Sequence, residues 1–161
     1  MTQNISHEMI EIAIARLADP RVNTAIQLAS TSYVTKQIIE GLPGVKELAS
    51  DGPEVEEAML QLIAGEESRQ RNLTAIALYI LGSYKSERVK LTLARMIVSE
   101  SFTGVRTQLA AESFLKAARI DYEPEDAIRL ARHEAHQLVS YADEQISTKR
   151  EGPEEEPQER R

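Results

Sequence analysis

The chain has no cysteine and no tryptophan, and aromatic residues make up only 4% of it. The missing thiols exclude a disulfide framework, a thiolate zinc site and a cysteine nucleophile, and they suit a reducing compartment. With so few aromatics, alanine, leucine and isoleucine must fill the core, which favours closely packed helices. No apolar run approaches the ~18–20 residues needed to cross a bilayer. The opening stretch MTQNISHEMIEIAIARL lacks the basic start and unbroken apolar segment of a secretory signal. These features predict a soluble, cytoplasmic protein. Signatures of several chemistries are missing too. GLPG at 41–44 has neither the lysine nor the following helix pattern of a phosphate-binding loop, and there is no GxSxG elbow. No carboxylate sits in an apolar context that would mark it for acid–base work.

What is present is an ordinary globular composition: 161 residues, 42% hydrophobic and 28% charged. The formal net charge is −7, of which residues 150–161 carry −2 and the body −5. An acidic body argues against a general nucleic-acid binder, whose affinity rests on neutralising phosphates.

The strongest signal is an internal repeat. Residues 55–81 recur in pattern 34 residues later, at 89–115. Apolar residues coincide at Val55/Val89, Met59/Leu93, Leu60/Ala94, Leu62/Met96, Ile63/Ile97, Ile76/Ala110, Ala77/Ala111, Ile80/Phe114 and Leu81/Leu115. A period of ~20–50 residues marks a solenoid, in which each unit buries its apolar face against its neighbours. One step earlier, Ala25, Leu28 and Ala29 still match; one step later, Ala127, Ile128, Leu130 and Ala131 do. Two full helix pairs between two degenerate ends are therefore expected.

Turn and cap residues divide the chain into helices. Ile5, Met9, Ile12, Ala13 and Leu17 predict a helix over 6–18. Asp19 and Pro20 read as an N-cap and a first-turn proline, opening one helix over 20–40. Gly41 is expected to end it in the left-handed conformation, with Pro43 blocking continuation. Residues 44–50 form a short helix or turn. Further helices are expected over 53–64, stopped by Gly65; over 68–81, capped by Ser68; over 87–99, capped by Ser86; and over 104–119, capped by Thr103. Asp121 and Pro124 open a last helix reaching about Gln145. No strand of period two is present. The fold class is all-α, with one repeat domain over 1–148. The tail at 149–161, KREGPEEEPQERR, has no apolar residue and is expected to be disordered.

The run VRTQLAAESFL at 105–115 resembles the inner helix of a HEAT repeat, in which a Val-Arg pair precedes small residues at the tightest helix crossing. RNLTAIALYILG at 71–82 looks like a second copy, with helices 54–64 and 87–98 as the outer partners. The resemblance covers about 51–120. It departs from the family in lacking the acidic or Asn turn between paired helices, and in the Pro-Gly break near residue 43. A tetratricopeptide array shares the 34-residue period, but its Trp, Gly and Tyr signature is missing. The resemblance implies a short α-solenoid of HEAT-like helix pairs with helical caps, acting as a non-catalytic adaptor or scaffold. The partner protein, through an acidic or helical segment, would meet the concave face formed by the inner helices. The outward residues there are Arg69, Arg71, Thr74, Arg106, Gln108, Glu112, Lys116 and Arg119, a mixed strip whose arginines suit carboxylates. An exposed apolar end also invites a homodimer. No cofactor is implied.

Three other readings are weighed. Lys85, Arg88, Lys90 and Arg95 form a second basic set, and some DNA-repair glycosylases resemble HEAT arrays; the acidic body and the want of an aromatic platform count against nucleic acid. Deoxyhypusine hydroxylase, an iron enzyme of HEAT-like repeats, holds its metal with His-Glu dipeptides. This chain has His7-Glu8 and His133-Glu134, two of the four dipeptides of that family and far apart in sequence. His136 joins His133 at i+3, with Asp126 or Asp143 as conceivable third ligands. Surface histidines are the favoured reading, and no metal site is assigned. HEAT-like proteins also resemble subunits of the lyases that attach bilins to phycobiliproteins, an enzyme reading by fold alone.

Overall fold

A computed structural model describes residues 7–49, 52–64 and 71–159, with side chains over 8–49, 52–64 and 72–147. The described residues are all-helical. In chain order the helices are α1 (His7–Leu17), α2 (Pro20–Leu28), α3 (Ser32–Glu40), α4 (Val45–Ala49), α5 (Pro53–Ala64), α6 (Arg71–Leu81), α7 (Glu87–Val98), α8 (Val105–Ala117) and α9 (Ala127–Glu159). A single 3-10 turn at Pro124–Asp126 leads into α9.

The 34-residue offset is visible in the elements themselves. α5 and α7 are both 12 residues long and start at 53 and 87; α6 and α8 start at 71 and 105. α5 packs on α6 and α7 on α8; α6 lies against α8 and, more lightly, α5 against α7. The equivalent residues Val55 and Val89, Met59 and Leu93, Ile80 and Phe114, and Leu81 and Leu115 are all buried. α9 packs against both α7 and α8 through Ala127, Ala131 and Ala135, one alanine per turn.

α6 and α8 approach each other closely. Gly82 sits so close to α8 that an added Cβ would lie 3.3 Å from the Ser113 Cα. The Ser113 hydroxyl, also buried, donates to the Leu78 carbonyl across the crossing. Gly82 thus serves close packing, which is why small residues line up at this register.

The N-terminal third departs from expectation. The helix expected over 20–40 is two helices. Ala29 is extended, and the Thr31 hydroxyl accepts the Val34 N–H at 3.2 Å, starting α3 afresh. Ser and Thr compete for backbone donors in this way, so the Ser30–Thr31 pair interrupts the helix instead of being carried by it. Gly41 closes α3 with φ −83°, in the right-handed region; the left-handed glycine is Gly44, at φ +88°. Asp19 and Ser86 cap as expected, accepting the N–H groups of Arg21 and Val89. Thr103 does not cap α8; Gly104, at φ +62°, occupies the N-cap position. The expected stop at Gly65 and cap at Ser68 lie outside the described residues. α9 runs on beyond Gln145 to Glu159, through most of the stretch expected to be disordered.

Candidate functional site

α6 and α8 are the central helices. Thr74–Leu78, Ile80 and Leu81 of α6 and Leu109–Leu115 of α8 are buried, as befits helices covered on every side. α2, α3 and α4 pack on α6, and α3 also packs on α8. The inner-helix face expected to be open is therefore largely covered by the N-terminal helices.

This changes the standing of the expected strip. Glu112 is not outward: it is 3% exposed, and Thr74 is 5% exposed with its hydroxyl toward the Leu62 carbonyl. Gln108 is turned inward as well, donating to Glu112 at 2.9 Å and to the Pro124 carbonyl at 2.8 Å. Arg106 is half-buried beside Thr103. Arg69 lies outside the described residues, and Arg71 begins α6 with its side chain undescribed. Lys116 and Arg119 are exposed, as expected. Glu112 and Lys116, four residues apart on α8, are not paired with each other. Glu112 instead takes the Lys36 ammonium of α3, and Lys116 sits over the Tyr79 ring, 5.7 Å from its centre.

Lys36, Gln108 and Tyr122 all donate to the Glu112 carboxylate, Tyr122 at 3.1 Å. Burial alone would push the Glu112 pKa up. The hydrogen bonds from Lys36 and Gln108, the Lys36 charge and the Tyr122 hydroxyl outweigh it and hold the carboxyl below its usual range. Tyr122 moves the other way: burial, then the Glu112 charge and hydrogen bond, raise its phenol pKa. Tyr79 is likewise raised, by burial and then by the charge and hydrogen bond of Glu40 on α3. These are the signatures of a satisfied structural network, and no described buried side-chain N or O atom lacks a partner.

At the C-terminal ends of α6 and α8 the layer opens into a cleft of about 720 Å³. Lys85, Lys116, Arg119, Asp121, Ile120 and Tyr122 line it, with the backbone turn at Gly82 and Ser83. Lys85 and Arg119 are 34 residues apart in sequence, Lys85 lying four residues past the end of α6 and Arg119 two past the end of α8. None of the three cations has an ion-pair partner among the described residues. The other three members of the second basic set, all on α7, do. Arg88 meets Glu57 at 2.6 Å and Glu56 at 3.3 Å, Lys90 meets Glu87 at 2.9 Å, and Arg95 meets Asp143 of α9 at 3.0 Å.

Arg119 is held in an unusual way. α8 ends in a Schellman motif, with Arg119 N–H on the Lys116 carbonyl at 3.1 Å and Ile120 N–H on the Leu115 carbonyl at 2.9 Å. That motif wants a left-handed residue at Arg119, usually glycine; here an arginine takes φ +61°. Glu100 does the same after α7, at φ +54°.

The two histidines of α9, His133 and His136, are exposed, and no group of three His, Asp or Glu suited to a metal occurs among the described residues. Asp126 and Asp143 are engaged by Arg129 and Arg95. No described helix is long and apolar enough to cross a membrane. Lys36, Glu40, Tyr79 and Tyr122 did not stand out in the sequence, because their roles depend on α3 lying over α8 and α6. The sequence reading places Lys85 and Arg119 in different sets, and only the fold brings them to one cleft. Comparison with known protein families, with curated proteins and with solved structures finds no match to this chain.

Proposed function

We propose that the chain is a non-catalytic protein-interaction module, a short HEAT-like α-solenoid capped by helices at both ends. It holds an acidic segment of a partner protein in the cleft at the free edge of the α6–α8 layer. The carrying observation is that this edge gathers three exposed cations, Lys85, Lys116 and Arg119, without ion-pair partners among the described residues of a chain whose net charge is −7.

Cations at helix C-termini also favour the helix dipole, so their number decides the matter. Asp121 cancels one of them. The ends of α6 and α8, about half a negative charge each, cancel a second. About one positive charge is left for a ligand, which suits one carboxylate and not a run of phosphates. Arg119 can grip a carboxylate bidentately, Lys85 and Lys116 supply point charges, and Ile120 offers an apolar wall. The cations of α7, which would have favoured nucleic acid, are spent on Glu56, Glu57, Glu87 and Asp143.

The test is an NMR titration with an end-capped pentapeptide holding one glutamate among leucines, with its glutamine counterpart as control. The expected result is resonance shifts at 82–85 and 116–122 with the acidic peptide only. Equal shifts with both peptides, shifts elsewhere, or preferential binding of single-stranded nucleic acid with a steep salt dependence would reject the reading.

A further inference from the structure

Both walls of the cleft are tied to α3, which itself does not line it. Tyr122 lines one wall, and its hydroxyl is held at 3.1 Å by Glu112. Glu112 is in turn held by the Lys36 ammonium. Lys116 lines the cleft beside it, and its ammonium stands over Tyr79, a phenol near enough to Glu40 for that carboxylate to raise its pKa. Lys36 and Glu40 are one helical turn apart on α3, so one face of one helix reaches both walls. Gln108 adds a strut, linking Glu112 to the Pro124 carbonyl just beyond Tyr122.

We infer that Lys36 and Glu40 are positioning residues for the cleft, and that α3 docking and ligand binding are coupled through Glu112–Tyr122 and Tyr79–Lys116. The inference rests on the cleft being a binding site, as proposed above. The rest of the contact pattern favours a coupling element here. α3 touches α6 and α8 over short stretches, while its outer side exposes Tyr33 and Val34. A nine-residue helix held by the buried Ile39 and Thr35 and by the Lys36–Glu112 ion pair is the kind of element whose docking a modest free energy can shift. Linkage is reciprocal: if docked α3 improves peptide affinity by some factor, bound peptide favours docked α3 by the same factor.

The experiment uses the full chain, the glutamate pentapeptide above, and three variants: Lys36→Met, Lys36→Arg and Glu40→Gln. In the free protein, Lys36→Met is expected to shift the amide resonances of 116–122, whereas Lys36→Arg restores them. Peptide affinity should fall about tenfold in Lys36→Met, within the usual range of coupling, and recover in Lys36→Arg. Peptide added to the unaltered chain should slow amide exchange across α3. Glu40→Gln, at an exposed position that leaves Lys36 in place, should weaken binding less and move Lys116 alone. Unshifted 116–122 resonances in folded Lys36→Met overturn the positioning role whether or not peptide binds. Shifted resonances with no peptide binding to the unaltered chain keep that role and reject the binding site. Binding that is equally tight in every variant overturns the coupling while leaving the cleft as a site.

Discussion

Replacing Lys36 with methionine removes the only cationic partner, among the described residues, of Glu112, a carboxylate that is 4% exposed at its side chain. Orphaning one member of a fully buried ion pair costs ~3–5 kcal/mol. Two features lower the figure here. The Lys36 side chain is itself 21% exposed, so water reaches its end of the pair, and Gln108 and Tyr122 go on donating to Glu112. A loss of about 2–3 kcal/mol is expected, or roughly 5–10 °C in Tm for a domain of this size. The reverse change, Glu112→Gln, leaves a flexible ammonium that can turn out to solvent, and should cost only about 1 kcal/mol. The asymmetry follows from burial: the carboxylate cannot escape, whereas the ammonium can.

The pH dependence is a second arm of the same prediction. In the unaltered chain the Glu112 pKa lies below its unfolded value of about 4.3. A depressed carboxyl contributes stability that is present above the unfolded pKa and lost as pH falls through the folded one. In Lys36→Met burial is no longer outweighed by the Lys36 bond and charge, so the folded pKa moves up. The variant's deficit should then be largest near neutrality and shrink as the pH falls through the variant's raised pKa, where Glu112 takes up its proton in Lys36→Met while still ionised in the unaltered chain. Urea unfolding at several pH values measures it. A Lys36→Met deficit that is smaller than that of Glu112→Gln, or that is unchanged at pH 4, refutes the account of Glu112 as a buried, latched carboxylate.

Arg119→Gly should stabilise the chain by about 1 kcal/mol, because glycine takes the left-handed conformation without strain, while weakening the acidic peptide. Glu100→Gly is the control, with a similar gain in thermal unfolding and no change in peptide affinity. Gly82→Ala should cost about 1–3 kcal/mol in urea unfolding, since its methyl group presses on Ser113 backbone that cannot move aside. A double-mutant cycle on Arg95 and Asp143 should give under about 1 kcal/mol, fading with salt, because both side chains are exposed.

How much of this was legible depends on whether the information is local or lies between distant segments. The repeat was legible because a residue such as Val55 and its counterpart Val89 face the same kind of neighbour, and that demand is written into each copy. Helix bounds followed from Pro53, Asp19 and Ser86, whose effect reaches only a few residues. The break between α2 and α3 was a local event read wrongly: apolar periodicity was given more weight than the Ser30–Thr31 pair, and the Thr31 cap decided it. Thr103 was the opposite error, a good capping residue displaced when Gly104 took the N-cap position.

The site was harder for a different reason. Glu112 sits between Ala111 and Ser113, and nothing nearby announces that a lysine 76 residues earlier will reach it. By helical position alone it faces the groove an open solenoid would present, and an open groove makes it a contact residue. Once α3 fills that groove, the same position demands a buried and fully bonded charge. Whether Glu112 binds a partner or latches a helix is thus decided by the docking of α3, which no local pattern encodes. The same event sorts the rest of the strip. Thr74, Gln108 and Glu112 lie beneath the N-terminal helices or turn inward, and Lys116 and Arg119, which α3 does not cover, keep their exposure. The exposed part of the expected strip is thus narrower than the sequence implies, and it lies at the C-terminal end of α8, where the cleft opens.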